Sequence, residues 1–164
     1  MNKKNTLLLA VLLAFSSPAL AADDGKRAVS FDFAAIGGLM WPDFKNADPG
    51  IAAGFRVIVS DITTPSLTLE GEVLQTFSDG EIGSFDFSLG AVAGYLVWRS
   101  AGNFNWKIKG GALYERVDVG DGSESDSGLT GGVGIGFDVG RGAMDIEANI
   151  IEEDVYFFNV AYRF

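Results

Sequence analysis

The chain has 164 residues, with twelve Lys and Arg, twenty-two Asp and Glu, and neither cysteine nor histidine. The lack of cysteine excludes disulfides, thiolate metal sites and a cysteine nucleophile, and the lack of histidine removes the usual general base. A formal net charge of −10 argues against nucleic acid as a partner, because binding phosphates requires clusters of basic residues. We therefore predict a protein that is not an enzyme and that uses no cofactor or metal.

Residues 1–21 have the pattern of a cleaved secretory signal. Lys3 and Lys4 are followed by an uncharged, mostly apolar run over residues 6–15 and by a small-x-small motif that ends at Ala21. The run is about half as long as the roughly twenty residues that a membrane-spanning helix needs. We place cleavage after Ala21, which leaves residues 22–164 as one domain.

From residue 29 onward, side chains alternate between two faces with period two, which predicts β-strands. The alternating segments are residues 29–39, 51–59, 67–74, 85–97, 104–112, 129–139, 144–150 and 156–164. Pro42, Pro49 and Pro65 fall between segments, as expected because a proline inside a strand removes a hydrogen-bond donor. The sequence therefore predicts an all-β chain of eight antiparallel strands and no helix.

The two faces of the predicted strands differ in a way that separates a membrane barrel from a soluble one. One face is apolar and uncharged, and we assign it to the outside; in the fourth segment this face holds Phe87, Leu89, Tyr95 and Val97. The other face is mostly small residues, which suit the narrow interior of an eight-stranded barrel, whereas a soluble lipocalin-like barrel would carry long hydrated side chains there. We predict an eight-stranded antiparallel up-and-down transmembrane β-barrel.

The charges on the predicted inner face have both signs. A lysine or arginine facing lipid at the bilayer midplane would cost about 2–4 kcal/mol, and a buried charge must be paired. We therefore predict an interior network of ion pairs rather than catalytic carboxylates. Its predicted members are Asp32, Arg56, Glu70, Glu72, Asp86, Lys107, Lys109, Asp138, Asp145, Glu147 and Arg163. Acids outnumber bases in this set, so some carboxylates are expected to be protonated, hydrated or near a rim.

The end of the chain carries a resemblance to a known family. Tyr156, Phe158, Val160, Tyr162 and the final Phe164 recur at steps of two. This pattern resembles the C-terminal strand of Gram-negative outer membrane proteins, which the barrel-assembly machinery reads. With eight strands, residues 22–164 as a whole resemble the small OmpA/OmpX-like barrels, the outer membrane protein β-barrel domains.

The resemblance implies a cell outer membrane location with both chain ends in the periplasm. It implies short periplasmic turns at residues 60–65, 99–103 and 140–142, and outer loops at residues 41–49, 78–83, 119–128 and 152–154. Of these loops only 119–128 has any length, which argues against adhesion. We expect a monomer with a side-chain-filled interior and a structural, envelope role; a narrow channel for ions or a small solute is the alternative, and a surface recognition protein a weaker one.

The predicted outer loops are strongly acidic. Lys45 is the one basic residue in these loops. The acidic residues, with Asp118 at the end of a strand, are Asp43, Asp48, Asp79, Glu81, Asp118, Asp121, Glu124, Asp126, Glu152, Glu153 and Asp154. One hypothesis is that this rim meets membrane lipid and lipopolysaccharide through bridging Mg²⁺ or Ca²⁺. The other is that the acids simply keep the rim in water.

Overall fold

A computed structural model of the chain describes residues 29–43, 47–62, 64–78, 80–82, 85–119, 122–151 and 155–164. The predicted signal, residues 1–21, lies outside the described part. The described residues form ten strands and no helix. Within that part of the chain, accordingly, no helix has the length and hydropathy to cross a bilayer.

The strands follow one another with short connections. In chain order they are β1 (Ser30–Pro42), β2 (Ala47–Asp48), β3 (Gly50–Ser60), β4 (Leu67–Ser78), β5 (Gly80–Ile82), β6 (Phe85–Arg99), β7 (Phe104–Val119), β8 (Gly122–Val139), β9 (Gly142–Ile151) and β10 (Val155–Arg163). Eight of them are long, and they match the eight predicted segments. β2 and β5 are short strands in two regions that the sequence assigned to loops, and β1 includes Pro42 as its last residue.

The eight long strands close into a barrel. Each is antiparallel to its neighbours in the chain, and the closing pair joins β1 to β10 from Ala34 opposite Arg163 to Pro42 opposite Val155. The predicted fold class is therefore confirmed. We call the end that holds Ser30 and Arg163 the terminal end, since the turns after β3, β6 and β8 lie there as well. The opposite end, with the connections after β1, β4, β7 and β9, is the loop end.

Side chains alternate between the exterior and the lumen, as a half-buried strand requires. In β10, for example, Tyr156 and Phe158 are exposed while Phe157 and Asn159 are buried. The predicted faces agree with the structure in seven of the long strands. The exception is β6, where Leu96 and Trp98 face outward and Phe87, Leu89, Ala91, Ala93, Tyr95 and Val97 fill the lumen. The predicted faces of this strand were wrong, because the lumen beside it is itself apolar and holds the larger apolar side chains.

The prediction of a loop at residues 119–128 was also wrong. β7 and β8 continue as one ladder to the pair Val119 and Gly122, with Glu115 opposite Asp126. β9 joins β8 only from Thr130 onward. Residues 122–127 are exposed on both faces, so the hairpin of β7 and β8, with β6 still paired to β7 up to Val119, extends beyond the end of β9 at the loop end.

Several glycines lie where the strands are too close for a side chain. A Cβ on Gly54 would overlap the carbonyl oxygen of Val73, and one on Gly111 would overlap the carbonyl oxygen of Gly94. Gly37, on the exterior, has open space instead. The inward glycines therefore allow the strands to pack around a narrow lumen.

Candidate functional site in the barrel interior

Eight charged side chains meet in the half of the lumen near the terminal end. We call this group the ionic layer; it consists of Arg56, Glu70, Glu72, Arg99, Lys107, Lys109, Asp145 and Glu147. They come from β3, β4, β6, β7 and β9, so the layer connects opposite walls of the barrel. Seven of them are buried, and the Arg99 side chain is 12% exposed.

Arg56 lies at the centre of the ionic layer and contacts all four carboxylates. Its guanidinium forms a two-pronged contact with Glu147, with Nη1 2.7 Å from Oε1 and Nη2 donating to Oε2 at 2.8 Å. Nε donates to Glu72 Oε1 at 2.8 Å and lies 3.2 Å from Glu70 Oε2, and Nη1 donates to Asp145 Oδ2 at 3.2 Å. The rigid fork of arginine suits such multiple contacts, which the single ammonium of lysine would not reproduce.

The two lysines of β7 connect pairs of glutamates. Lys107 Nζ lies 2.7 Å from Glu70 and 2.6 Å from Glu147. Lys109 Nζ lies 2.7 Å from Glu72 and 2.9 Å from Glu147, and it also stands over the Tyr95 ring at 4.2 Å from the centroid. Each lysine therefore bridges β4 and β9, which are not neighbours in the sheet.

Arg99 covers the ionic layer on the side of the terminal end. Its Nη1 and Nη2 donate to the two oxygens of Asp145 at 2.9 and 2.7 Å, and Nη2 also donates to Glu70 at 3.0 Å. The sequence placed this residue in a periplasmic turn and missed its role in the network. Because it lies on the same face of β6 as Val97, the correct face assignment would have pointed it inward.

The ionic layer holds four cationic and four anionic side chains, so its formal charge cancels. Removing a charge from water costs several kcal/mol unless partners compensate it. Here every member contacts at least two partners of opposite sign. The acid pairs Glu70 with Glu72 and Asp145 with Glu147, which could have been catalytic carboxylates, are thus held in ion pairs.

The lumen nearer the loop end is filled by apolar side chains. We call this group the apolar plug; it consists of Met40, Leu74, Phe87, Leu89, Ile151 and Phe157, all buried. Leu74 and Phe157 lie on faces that the sequence directed inward, and Met40 and Ile151 continue the inward faces of their strands one residue beyond the predicted segments. Phe87 and Leu89 are from the reversed strand β6. The lumen therefore holds an ionic group nearer the terminal end and a mainly apolar group nearer the loop end, where Thr76, Glu115 and Thr130 are buried as well.

The remaining predicted charges lie elsewhere. Asp32 and Arg163 approach to 4.0 Å at the terminal end, where both are partly exposed. With exposed Asp138 and Arg141 they line a polar pocket of about 450 Å³. The side chain of Asp86 lies outside the described residues. Glu115 of β7, which the sequence did not single out, is also buried.

The proposed C-terminal signal residues share one face. Tyr156, Phe158, Val160, Tyr162 and Phe164 are all exposed along the exterior of the last strand. Among the described acidic residues, meanwhile, no group of three or more has the arrangement of a metal site.

The architecture is that of the small eight-stranded outer membrane β-barrels. The chain shares its fold with neisserial surface protein A, with a TM-score of 0.65 at 13% identity over 84% of this chain and 98% of that one. It also resembles Ail, the attachment invasion locus protein of Yersinia pestis, in its complex with the heparin analogue sucrose octasulfate, with a TM-score of 0.52 at 18% identity over 83% of this chain and 97% of that one. No protein-family model and no curated protein sequence matches the chain.

Proposed function

We propose that the chain is an integral outer membrane protein with a structural role in the envelope, and that its barrel is closed to solutes by its own side chains. The observation that carries this proposal is the filled lumen. A solute crossing the barrel would have to separate the ion pairs around Arg56 and then displace the apolar plug. Eight strands leave an interior that side chains can fill, in contrast to the open lumen of large porins.

The exterior supports a membrane location. Its central belt is apolar in the described residues, as lipid contact requires. Exposed aromatic side chains stand near the strand ends, where the two interfaces of a bilayer would lie; they are Trp41, Phe77, Trp98, Phe104, Trp106, Tyr156 and Phe164. The fold shared with neisserial surface protein A and the predicted export signal favour the outer membrane, with the terminal end in the periplasm.

A conductance measurement separates the proposed function from the narrow channel. The purified barrel, reconstituted in planar bilayers, is expected to give no discrete conductance steps, while a porin in the same bilayers serves as the positive control. Regular single-channel steps from the wild-type barrel would contradict the proposal that the barrel is closed and would favour the narrow channel. Gel electrophoresis with and without boiling checks that the reconstituted protein is folded.

We also propose that the exterior face of β10 is the segment that the barrel-assembly machinery reads. Phe164→Ala should lower the amount of folded barrel in cells and leave refolding of the purified chain into detergent nearly unchanged. Phe104→Ala is the matched control, since Phe104 is an exposed aromatic at the same end on another strand. Equal effects of both substitutions in cells would contradict a special role for the last residue.

The charge of the loop end does not favour binding of a polyanion such as the sucrose octasulfate in the Ail complex. Its exposed described acids include Asp43, Asp48, Glu124 and Asp126, and the one exposed cation among the described residues there, Arg116, contacts Asp118 at 3.3 Å. A sulfated ligand would meet like charge. This charge is consistent with an acidic rim that contacts lipopolysaccharide through divalent cations. The thermal stability of the barrel in lipopolysaccharide-containing bilayers should then fall when a chelator is added. An unchanged thermal stability would contradict this hypothesis.

A further inference from the structure

The polar pocket inside the mouth of the barrel at the terminal end has the size of a ligand site; we call it the terminal pocket. Its volume of about 450 Å³ lies within the range of about 300–1,000 Å³ that is typical of small-molecule sites. Its charged lining residues are Asp32, Asp138, Arg141 and Arg163. Three of them lie on the inward faces of β1, β8 and β10, and Arg141 lies in the turn between β8 and β9.

The strand register leaves a gap between an acid and a base in this pocket. Arg163 of β10 and Asp138 of β8 both lie opposite Ala143 of β9, one on each side of it. Because Ala143 carries only a methyl group, its side chain does not fill the space between the two charges. The turn beyond it adds Gly140 and Gly142 to the lining, and these residues have no side chain. Small residues therefore form the wall between the charged groups.

The charges of the terminal pocket are poorly paired, in contrast to those of the ionic layer. Arg163 and Asp32 approach each other only to 4.0 Å, and their side chains are 34% and 42% exposed. Asp138 and Arg141, both exposed, form no ion pair and no side-chain hydrogen bond with another residue in the described part of the chain. A carboxylate and a guanidinium on one side of the pocket are thus available to a ligand.

The charges further into the lumen are already paired. Asp145 is the next inward residue after Ala143 on β9, and Arg99 donates hydrogen bonds to both of its oxygens. A molecule that enters from the terminal end therefore meets unpaired charges in the terminal pocket and satisfied ion pairs beyond it. The terminal pocket is the place where a ligand would gain contacts.

The mixture of charges selects the kind of ligand. An anion would be attracted by two arginines and repelled by two aspartates, and a cation would meet the reverse. A molecule that carries both signs can satisfy both groups. The planar fork of arginine matches a carboxylate, and an aspartate accepts hydrogen bonds from an ammonium group. We propose that the terminal pocket binds a small zwitterion, an unblocked short peptide, with its carboxylate on Arg141 and its ammonium on Asp138.

An NMR titration with the dipeptide alanyl-alanine tests the proposal on the full, folded barrel in detergent micelles. Amide shifts should be confined to residues 138–143 and to Asp32 and Arg163, with a Kd of about 1–10 mM, since two solvent-accessible ionic contacts give weak binding. N-acetylated alanyl-alanine lacks the ammonium, and alanyl-alanine amide lacks the carboxylate. Each should bind about fivefold more weakly, because one ionic contact is lost.

Two double variants that keep the net charge separate the terminal pocket from general electrostatics. Asp138→Asn with Arg141→Gln should weaken the binding of alanyl-alanine at least about tenfold, because both contacts are lost. Arg116→Gln with Asp118→Asn removes an exposed ion pair at the loop end and should change binding less than about twofold. Gel electrophoresis with and without boiling confirms that both variants are folded.

Single substitutions assign the two ends of the ligand. In Arg141→Gln, amidation of the dipeptide should cost almost no further affinity, whereas acetylation should still weaken binding; Asp138→Asn should show the opposite pattern, since each change removes one partner of a coupled pair. The proposal is overturned by the absence of shifts up to about 50 mM alanyl-alanine. Equal binding of the free and blocked dipeptides, or equal effects of the two double variants, would overturn it as well.

Discussion

Replacing Arg56 by methionine measures how much the ionic layer contributes to stability. Methionine approximates the length of the side chain and removes its charge. Arg56 is fully buried and contacts Glu70, Glu72, Asp145 and Glu147, so the substitution leaves four carboxylates with three cations. Removing one partner of a buried charge group typically costs about 3–5 kcal/mol. We expect a loss of this size in the free energy of unfolding.

Urea unfolding in lipid vesicles, followed by the fluorescence of the three tryptophans, gives the measurement. With a slope of about 2 kcal/mol per molar urea, the midpoint should fall by roughly 2 M. Arg163→Met is the control, because Arg163 lies 4.0 Å from Asp32 and both are partly exposed; its cost should stay below about 1 kcal/mol. Adding Glu147→Gln to the Arg56 variant restores neutrality and should recover part of the loss.

Similar urea midpoints for the Arg56 and Arg163 variants would refute the reasoning. The buried ion pairs would then contribute no more to the free energy of unfolding than the partly exposed one. Full additivity of the Arg56 and Glu147 substitutions would also count against it. Contacting residues in one network should show a coupling energy.

Three other predictions concern the barrel wall. Gly54→Ala should destabilise the barrel by about 1–3 kcal/mol in the same urea assay, because its Cβ would overlap the Val73 carbonyl oxygen, whereas Gly37→Ala should be nearly neutral. Ile146→Arg, in the middle of the exterior face of β9, should lower the free energy of unfolding in lipid by about 2–4 kcal/mol. The same change at Ser125 on the exposed hairpin should cost less than about 0.5 kcal/mol, and equal costs would contradict the assignment of the exterior belt.

The reversed face of β6 shows where period-two reasoning is limited. Both faces of this strand are apolar or small, so hydrophobicity alone favoured the larger set, with Phe87 and Leu89, as the exterior. The lumen near the loop end is itself apolar, and that set belongs to the plug. Trp98 offered a usable signal: an aromatic residue at the interface requires Leu96 on the same exterior face, and it turns Val97 and Arg99 inward.

The extended hairpin was missed for a different reason. Residues 122–128 are rich in glycine, serine and acids, which are poor strand formers and resemble a loop. Pairing with β7, whose residues have strand-like alternation through Val117 and Val119, overrides the weak local preference. By contrast, the position of Arg56, Lys107 and Lys109 in the lumen followed from alternation, since an isolated basic residue between apolar neighbours in a strand cannot face lipid.

The pairing of β1 with β10 sets the order in which the molecule can form. Ala34 meets Arg163 across 129 positions of the chain, and Arg56 meets Glu147 across 91 positions. Contacts between such distant positions form late, after the intervening chain has lost much of its freedom. Until the cylinder closes, the charges on β3, β7 and β9 stay in water. Closure of the barrel and dehydration of these charges are therefore one event. A chain that lacked its last strand would be an open sheet with hydrated charges rather than a narrower barrel.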